Sequence, residues 1–106
     1  MRFPKPPKRR KNKKYLAWIT TFPCVVCGNP QTQAHHVRLG HNGGMSRKPD
    51  DSRAVPLCYA HHDLLHKQGE WEFWNNTERE DGSAFDPEEL IYSYNITFHH
   101  IYGERP

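Results

Sequence analysis

The sequence predicts a small α+β domain whose core is too thin to hold it together unaided. Three observations carry that expectation. The chain has 106 residues, of which 35% are apolar, nine are prolines and seven are glycines, and its mean hydropathy is −0.98. That allows one domain at most, with a small core. Its three cysteines fall into two pairs of identical spacing, Cys24-x2-Cys27 and Cys58-x2-His61. Two short strand-like segments, QTQAHHVRL (31–39) and RAVPLC (53–58), lead into the stretch LCYAHHDLLH (57–66), which gathers three histidines around one cysteine. So lean a domain needs a staple, either disulfides or a metal. Three cysteines cannot all pair. Without a secretory apolar segment or a run near 18 apolar residues, the expected setting is a reducing cytoplasm with no membrane contact.

The elements follow in chain order. Residues 1–14, MRFPKPPKRRKNKK, carry eight cations (Arg2, Lys5, Lys8, Arg9, Arg10, Lys11, Lys13 and Lys14) and no acid. The other 92 residues carry seven basic and twelve acidic groups, a net −5. A like-charged run with three prolines does not pack into a core and is expected to be disordered when free. It reads as an arm that tracks phosphates and releases counterions on nucleic acid. A solubilising tail or an import signal is the blander reading. The domain proper is expected over 15–106.

YLAWITTF (15–22) suits a short helix or strand ending at Pro23, and CVVCGNPQ (24–31) a tight turn. QTQAHHVRL (31–39) reads as a short strand and GHNGGMSRKPDD (40–51) as a loop. RAVPLC (53–58) is a second strand, which Pro56 marks as an edge. Residues 59–67 should be helical and stop near Gly69, with EWEFWNN (70–76) continuing as helix or turn. Trp71, Phe73 and Trp74 are read as sealing the core rather than stacking on bases. EREDGS (78–83) is an exposed acidic loop. A last helix starts at Asp86 as N-cap, with Pro87 next and Glu89 completing a capping-box pattern. Its Leu90, Ile91, Tyr94 and Phe98 recur at helical spacing and face the domain. His99 and His100 at its end suit the helix dipole and need no further role.

Two residues between ligands lets a turn, or the first turn of a helix, aim both donors at one tetrahedral ion. Two such half-sites use every cysteine in the chain, so structural zinc through Cys24, Cys27, Cys58 and His61 is expected. With that ion closing a long loop, zinc binding becomes folding energy. His62 and His66 remain. Four apart on one helix, they share a face and can clasp one ion, and His62 is turned about 100° from His61. His35 and His36 are neighbours on a strand and point to opposite faces, so one can reach that ion while the other acts beside it.

Cys-x2-Cys, the His35-His36-Val37 triplet and Pro56-Leu57-Cys58-x2-His61-His62 together resemble the HNH endonuclease family. The glycine-rich loop followed by VPLCYAHHDLLH is similar to phage-borne members, including a recombination-enhancing type that cuts DNA held by a recombinase filament. The likeness spans residues 24–66. It implies a treble-clef-like ββα-metal core of two strands and a helix around one divalent ion, with flanking helices. It further implies a phage- or prophage-related DNA-processing role in the bacterial cytoplasm, beside a recombinase or another DNA-processing protein. By the same resemblance His36 is the general base, His35 stands where relatives carry an acidic ligand, and His62 matches the final ligand. The middle Asn of the motif has no counterpart, and Asp51 is the candidate for its place, orienting His36 or ligating. His66 is a ligand beyond the generic motif.

Hydrolysing a phosphodiester needs an activated water and stabilised charge, which a neutral imidazole and a divalent ion supply. Imidazole ligands suit Zn2+, Ni2+, Co2+ or Mn2+ better than Mg2+. Arg38, Arg47 and Lys48 border the site as candidate phosphate partners, together with Lys8, Arg9, Arg10, Lys11, Lys13 and Lys14 of the arm. The rival readings are a noncatalytic zinc module that binds nucleic acid and a zinc domain that binds protein.

Overall fold

The computed structural model describes residues 10–38, 49–78, 82 and 84–106. Within them the chain runs through helix α1 (Lys13–Ile19), strand β1 (Thr32–His36), a 3-10 turn (Asp51–Arg53) and strand β2 (Ala54–Cys58). Helices α2 (Tyr59–Gln68), α3 (Glu70–Asn76) and α4 (Pro87–Tyr102) follow. The architecture is α+β: among the described residues, one two-stranded sheet and four helices. No helix among them is long and apolar enough to cross a membrane.

The strands pair antiparallel, Thr32 opposite Cys58 and His36 opposite Ala54. Every position of β2 is buried, which explains why the run AVPLC does not alternate. Pro56 has no N–H to give, and its carbonyl accepts the Val25 N–H at 3.2 Å, tying β2 to the Cys24–Gly28 turn. Gly69, at φ +91°, ends α2 in a backbone conformation that favours glycine, and α3 starts at the next residue. The side chain of Asp86 accepts the Glu88 N–H at 3.0 Å and starts α4, with Pro87 in the first turn.

Two small clusters share the sheet. Val37, Val55, Leu57, Leu65, Phe73, Trp74 and Ile91 pack around Cys24 and Cys58. Tyr15, Ile19, Ala54 and Phe98 form the second, which joins α1 to α4. The expected inner face of α4 is present, with Ile91 and Phe98 buried and Leu90 and Tyr94 partly buried against the clusters. Of the three aromatics in α3, Phe73 and Trp74 seal the core as expected, whereas Trp71 is 67% exposed.

The basic segment departs from expectation at its end. Residues 10–14 are built into the domain rather than lying in a free arm. The Arg10 N–H donates to Asp50 Oδ1 (2.7 Å), and the Asp51 N–H donates to the Arg10 carbonyl (3.0 Å). Asn12 caps α1 by accepting the Tyr15 N–H at 3.0 Å, so the helix begins at Lys13, inside the charge run. Asparagine at an N-cap is a legible signal that the charge density obscured. Lys8 and Arg9 lie outside the described residues, as do Arg47 and Lys48 of the glycine-rich loop and most of the 78–83 segment.

Candidate metal centres and the His36–Asp51 pair

Cys24 and Cys27 lie on a turn closed by the Gly28 N–H to the Cys24 carbonyl and the Cys24 N–H to the Asn29 carbonyl, both at 2.9 Å. Gly28 sits at φ +78°, the left-handed region that lets the turn close. Cys58 is the last residue of β2 and the N-cap of α2, so His61 follows one helical turn later. The Cys27 and Cys58 sulfurs are 3.7 Å apart, and His61 Nδ1 lies 3.2 Å from Cys58 Sγ and 3.7 Å from Cys24 Sγ.

Those spacings can be tested against the ion. A tetrahedron with Zn–S near 2.3 Å has S–S edges of about 3.8 Å and S–N edges of about 3.6 Å. A disulfide needs about 2.0 Å, and all three cysteines are free thiols. Burial raises the Cys24 pKa, but hydrogen bonds from the backbone of Cys58, Cys27 and Val26, and from the Cys27 side chain, outweigh it and lower the net value. That favours a thiolate at Cys24; at Cys27 a backbone hydrogen bond from Asn29 pulls the pKa down, but burial and the Cys58 and Cys24 sulfurs outweigh it and raise the net value. Cys24, Cys27, Cys58 and His61, with ligand atoms all within 4.8 Å of one another, could hold an ion such as zinc.

On the next face of α2 the other histidines meet the strand. His35, His62 and His66 each offer a ring nitrogen, and these too lie within 4.8 Å of one another. His62 Nε2 and His66 Nε2 are 3.1 Å apart, close to the edge of about 3.3 Å for two nitrogens sharing a tetrahedral zinc. Burial, then the charges of His35 and His66, lower the His62 pKa, which favours the neutral imidazole that a metal would need. The cluster borders a shallow cleft of about 130 Å³ lined by His35, Arg38, Leu65, His66, Gly69 and Glu70. A larger groove, about 890 Å³, lies over the Cys24–Gly28 turn and the start of α4.

His36 is the neighbour of His35, so strand alternation sends it the other way. Its Nε2 lies 2.8 Å from Asp51 Oδ1. Asp51 is 2% exposed, and its Oδ2 accepts the Asn12 N–H at 2.8 Å. The structure thus sets Asp51 against His36. Asp51 is not in the His35–His62–His66 cluster.

Glu70 carries no signal in the sequence. Its Oε1 is 2.9 Å from His35 Nε2 and accepts the Arg38 N–H at 3.1 Å, and its Oε2 accepts the Trp74 indole N–H at 2.7 Å. Burial alone would raise its pKa, yet the hydrogen bond and charge of His35, then Arg38 and Trp74, bring it below the ordinary value. The Glu70–Trp74 spacing of one helical turn is local, but the partnership with His35 spans 35 residues and nothing nearby announces it. Among the candidate phosphate partners, Lys14 is engaged inside the domain. Its Nζ is 3.1 Å from Glu104 Oε2 and 4.4 Å from the Tyr102 ring centre.

A family described as a protein of unknown function, DUF968, has a model that matches residues 1–82 of this chain. The chain belongs to the DUF968 family. The match covers the basic segment, both histidine pairs and all three cysteines. The DUF968 chain is also similar to the uncharacterized protein YdfU of Escherichia coli strain K12, 46% identical over 67 residues. That alignment takes in 60% of this chain and 19% of YdfU, so the chain spans about a fifth of the curated relative it matches. No solved structure matches it.

Proposed function

We propose that this chain is a metal-dependent DNA endonuclease of the HNH type, with a structural zinc at Cys24, Cys27, Cys58 and His61 and a second divalent ion at His35, His62 and His66. One observation carries the reading: adjacent strand histidines divide between a three-imidazole cluster and a buried carboxylate, His36 Nε2 standing 2.8 Å from Asp51. Two strands followed directly by the ligand helix are the order of a ββα-metal core.

The second ion would supply Lewis-acid stabilisation of the negative charge that develops on the phosphate. The chain's own part begins at His36. If Nε2 keeps its proton on Asp51, Nδ1 is the nitrogen that accepts a proton from the attacking water. The water oxygen forms a bond to phosphorus, the bond to the 3′ oxygen breaks and that oxygen takes a proton from solvent water, while the imidazolium is stabilised by the Asp51 carboxylate. Asp51 thereby fixes both the tautomer and the ring orientation. Arg38, two residues beyond β1 and lining the cleft, is the candidate partner for a phosphate there.

The test is a cleavage assay on duplex, single-stranded and branched DNA and on RNA, with each divalent metal in turn, on wild type and His36→Ala. Metal-dependent DNA cleavage that His36→Ala abolishes while both ions stay bound supports the proposal. A protein that binds one ion and DNA but cuts no substrate is the noncatalytic zinc module instead.

A further inference from the structure

We infer that Glu70 is the positioning residue of the three-imidazole site, holding the Nε2 proton of His35 and so making Nδ1 the nitrogen that ligates. The inference rests on the reading of His35, His62 and His66 as a metal site, and adds a residue that reading does not contain. A neutral imidazole has one N–H, and the nitrogen that keeps it cannot bind an ion. His35 Nε2 lies 2.9 Å from Glu70 Oε1, and an ionised carboxylate only accepts. The proton therefore stays on Nε2.

The carboxylate is itself fixed. Trp74, 1% exposed, donates to Oε2 at 2.7 Å from one helical turn along α3, and the Arg38 N–H donates to Oε1 at 3.1 Å. The site needs that support at His35 more than elsewhere. His62 and His66 come from one helix, which sets their spacing without help. His35 comes from β1, and its ring gains its orientation from α3 through Glu70. A carboxylate behind a ligating histidine also makes the other nitrogen a better donor.

Two measurements on the full-length protein test this. With the Cys3His site zinc-loaded and the second site stripped by mild chelation, Co2+ is titrated in and followed by its visible absorption. Glu70→Ala should weaken Co2+ binding about 10–100-fold while structural zinc and helix content stay unchanged. Glu70→Gln keeps one acceptor oxygen, enough for His35 but not also for the Trp74 N–H, so it should recover only part of that loss and cost some stability. Equal Co2+ affinity in wild type and Glu70→Ala overturns the inference. A wild type that takes no second ion sinks the three-imidazole site itself, and the inference with it. The second measurement needs no variant: long-range nitrogen–proton NMR of His35 in the wild type should report the Nε2–H tautomer. The Nδ1–H tautomer would overturn the inference whatever Glu70→Ala does.

Discussion

His36 Nε2 and Asp51 Oδ1 stand 2.8 Å apart, and the other oxygen of the same carboxylate takes the Asn12 N–H at the same distance. Asp51 is therefore a fixed acceptor, braced from the far side by the end of the basic segment. His35, one residue earlier on β1, has its own carboxylate partner in Glu70. The pleat of a single strand thus gives two neighbouring imidazoles two environments, one beside His62 and His66 and one beside Asp51. On the proposed function these become ligand and base.

Replacing either member of the second pair should separate chemistry from metal binding. His36→Ala is expected to keep both ions and its DNA affinity, with cleavage reduced about 10²–10⁴-fold. Asp51→Asn should also slow cleavage, because an amide can turn its N–H toward Nε2 and favour the wrong tautomer. It should also cost about 1–3 kcal/mol of stability, since its amide cannot accept from both His36 and the Asn12 N–H. Single-turnover cleavage, metal analysis and thermal unfolding measure the three effects. Wild-type cleavage by His36→Ala removes His36 as the base; loss of the second ion makes it a ligand.

Much of this arrangement was legible because it is local. Spacings of two residues place Cys24 with Cys27 and Cys58 with His61. The helical repeat separates His61 from His62, and the strand repeat separates His35 from His36. Each follows from backbone geometry within a few residues. The cap at Asp86 and the inner face of α4 were readable for the same reason. What escaped is carried by side chains meeting across the fold. Glu70 looks like any acidic residue at the start of a short helix until α3 packs against β1. The contact of Arg10 and Asn12 with Asp50 and Asp51 is made mostly by backbone N–H groups, which every sequence offers and none advertises.

The two ions should be separable by mutation. His62→Ala removes one imidazole from the second cluster but leaves all four atoms of the cysteine set. It should lose one metal equivalent and all cleavage, and keep its fold. Metal analysis together with circular dichroism checks this. Two equivalents retained in His62→Ala would place the second ion elsewhere.

Cys58→Ala should behave differently. A structural zinc set of this kind contributes on the order of 10–16 kcal/mol in small zinc domains, as much as the whole stability of a typical domain, about 5–15 kcal/mol. Two small core clusters do not replace that. Cys58→Ala is expected to be unfolded at room temperature, and strong chelation should unfold the wild type in one cooperative step. A folded, cooperatively melting Cys58→Ala protein would show that packing alone suffices.

Truncating the basic segment at two places tests whether it only attracts DNA or also supports the site. Removing residues 1–9 takes away Arg2, Lys5, Lys8 and Arg9 and leaves the hydrogen bonds of Arg10 and Asn12 in place. DNA affinity should fall, and the salt dependence should flatten by about 0.9 in log–log slope for each phosphate no longer neutralised. Metal content and the cleavage rate of bound DNA should not change. Removing residues 1–12 also deletes the hydrogen bonds to Asp50 and Asp51, each worth about 1 kcal/mol, and the cap of α1, worth a further 0.5–2 kcal/mol or so. Asp51 then loses the donor on Oδ2 that holds it against His36. The longer deletion should therefore slow cleavage of saturating DNA as well as weaken binding, with the second ion still bound. If both truncations cleave bound DNA at the wild-type rate, the Asn12–Asp51 bond is packing alone and His36 does not depend on it.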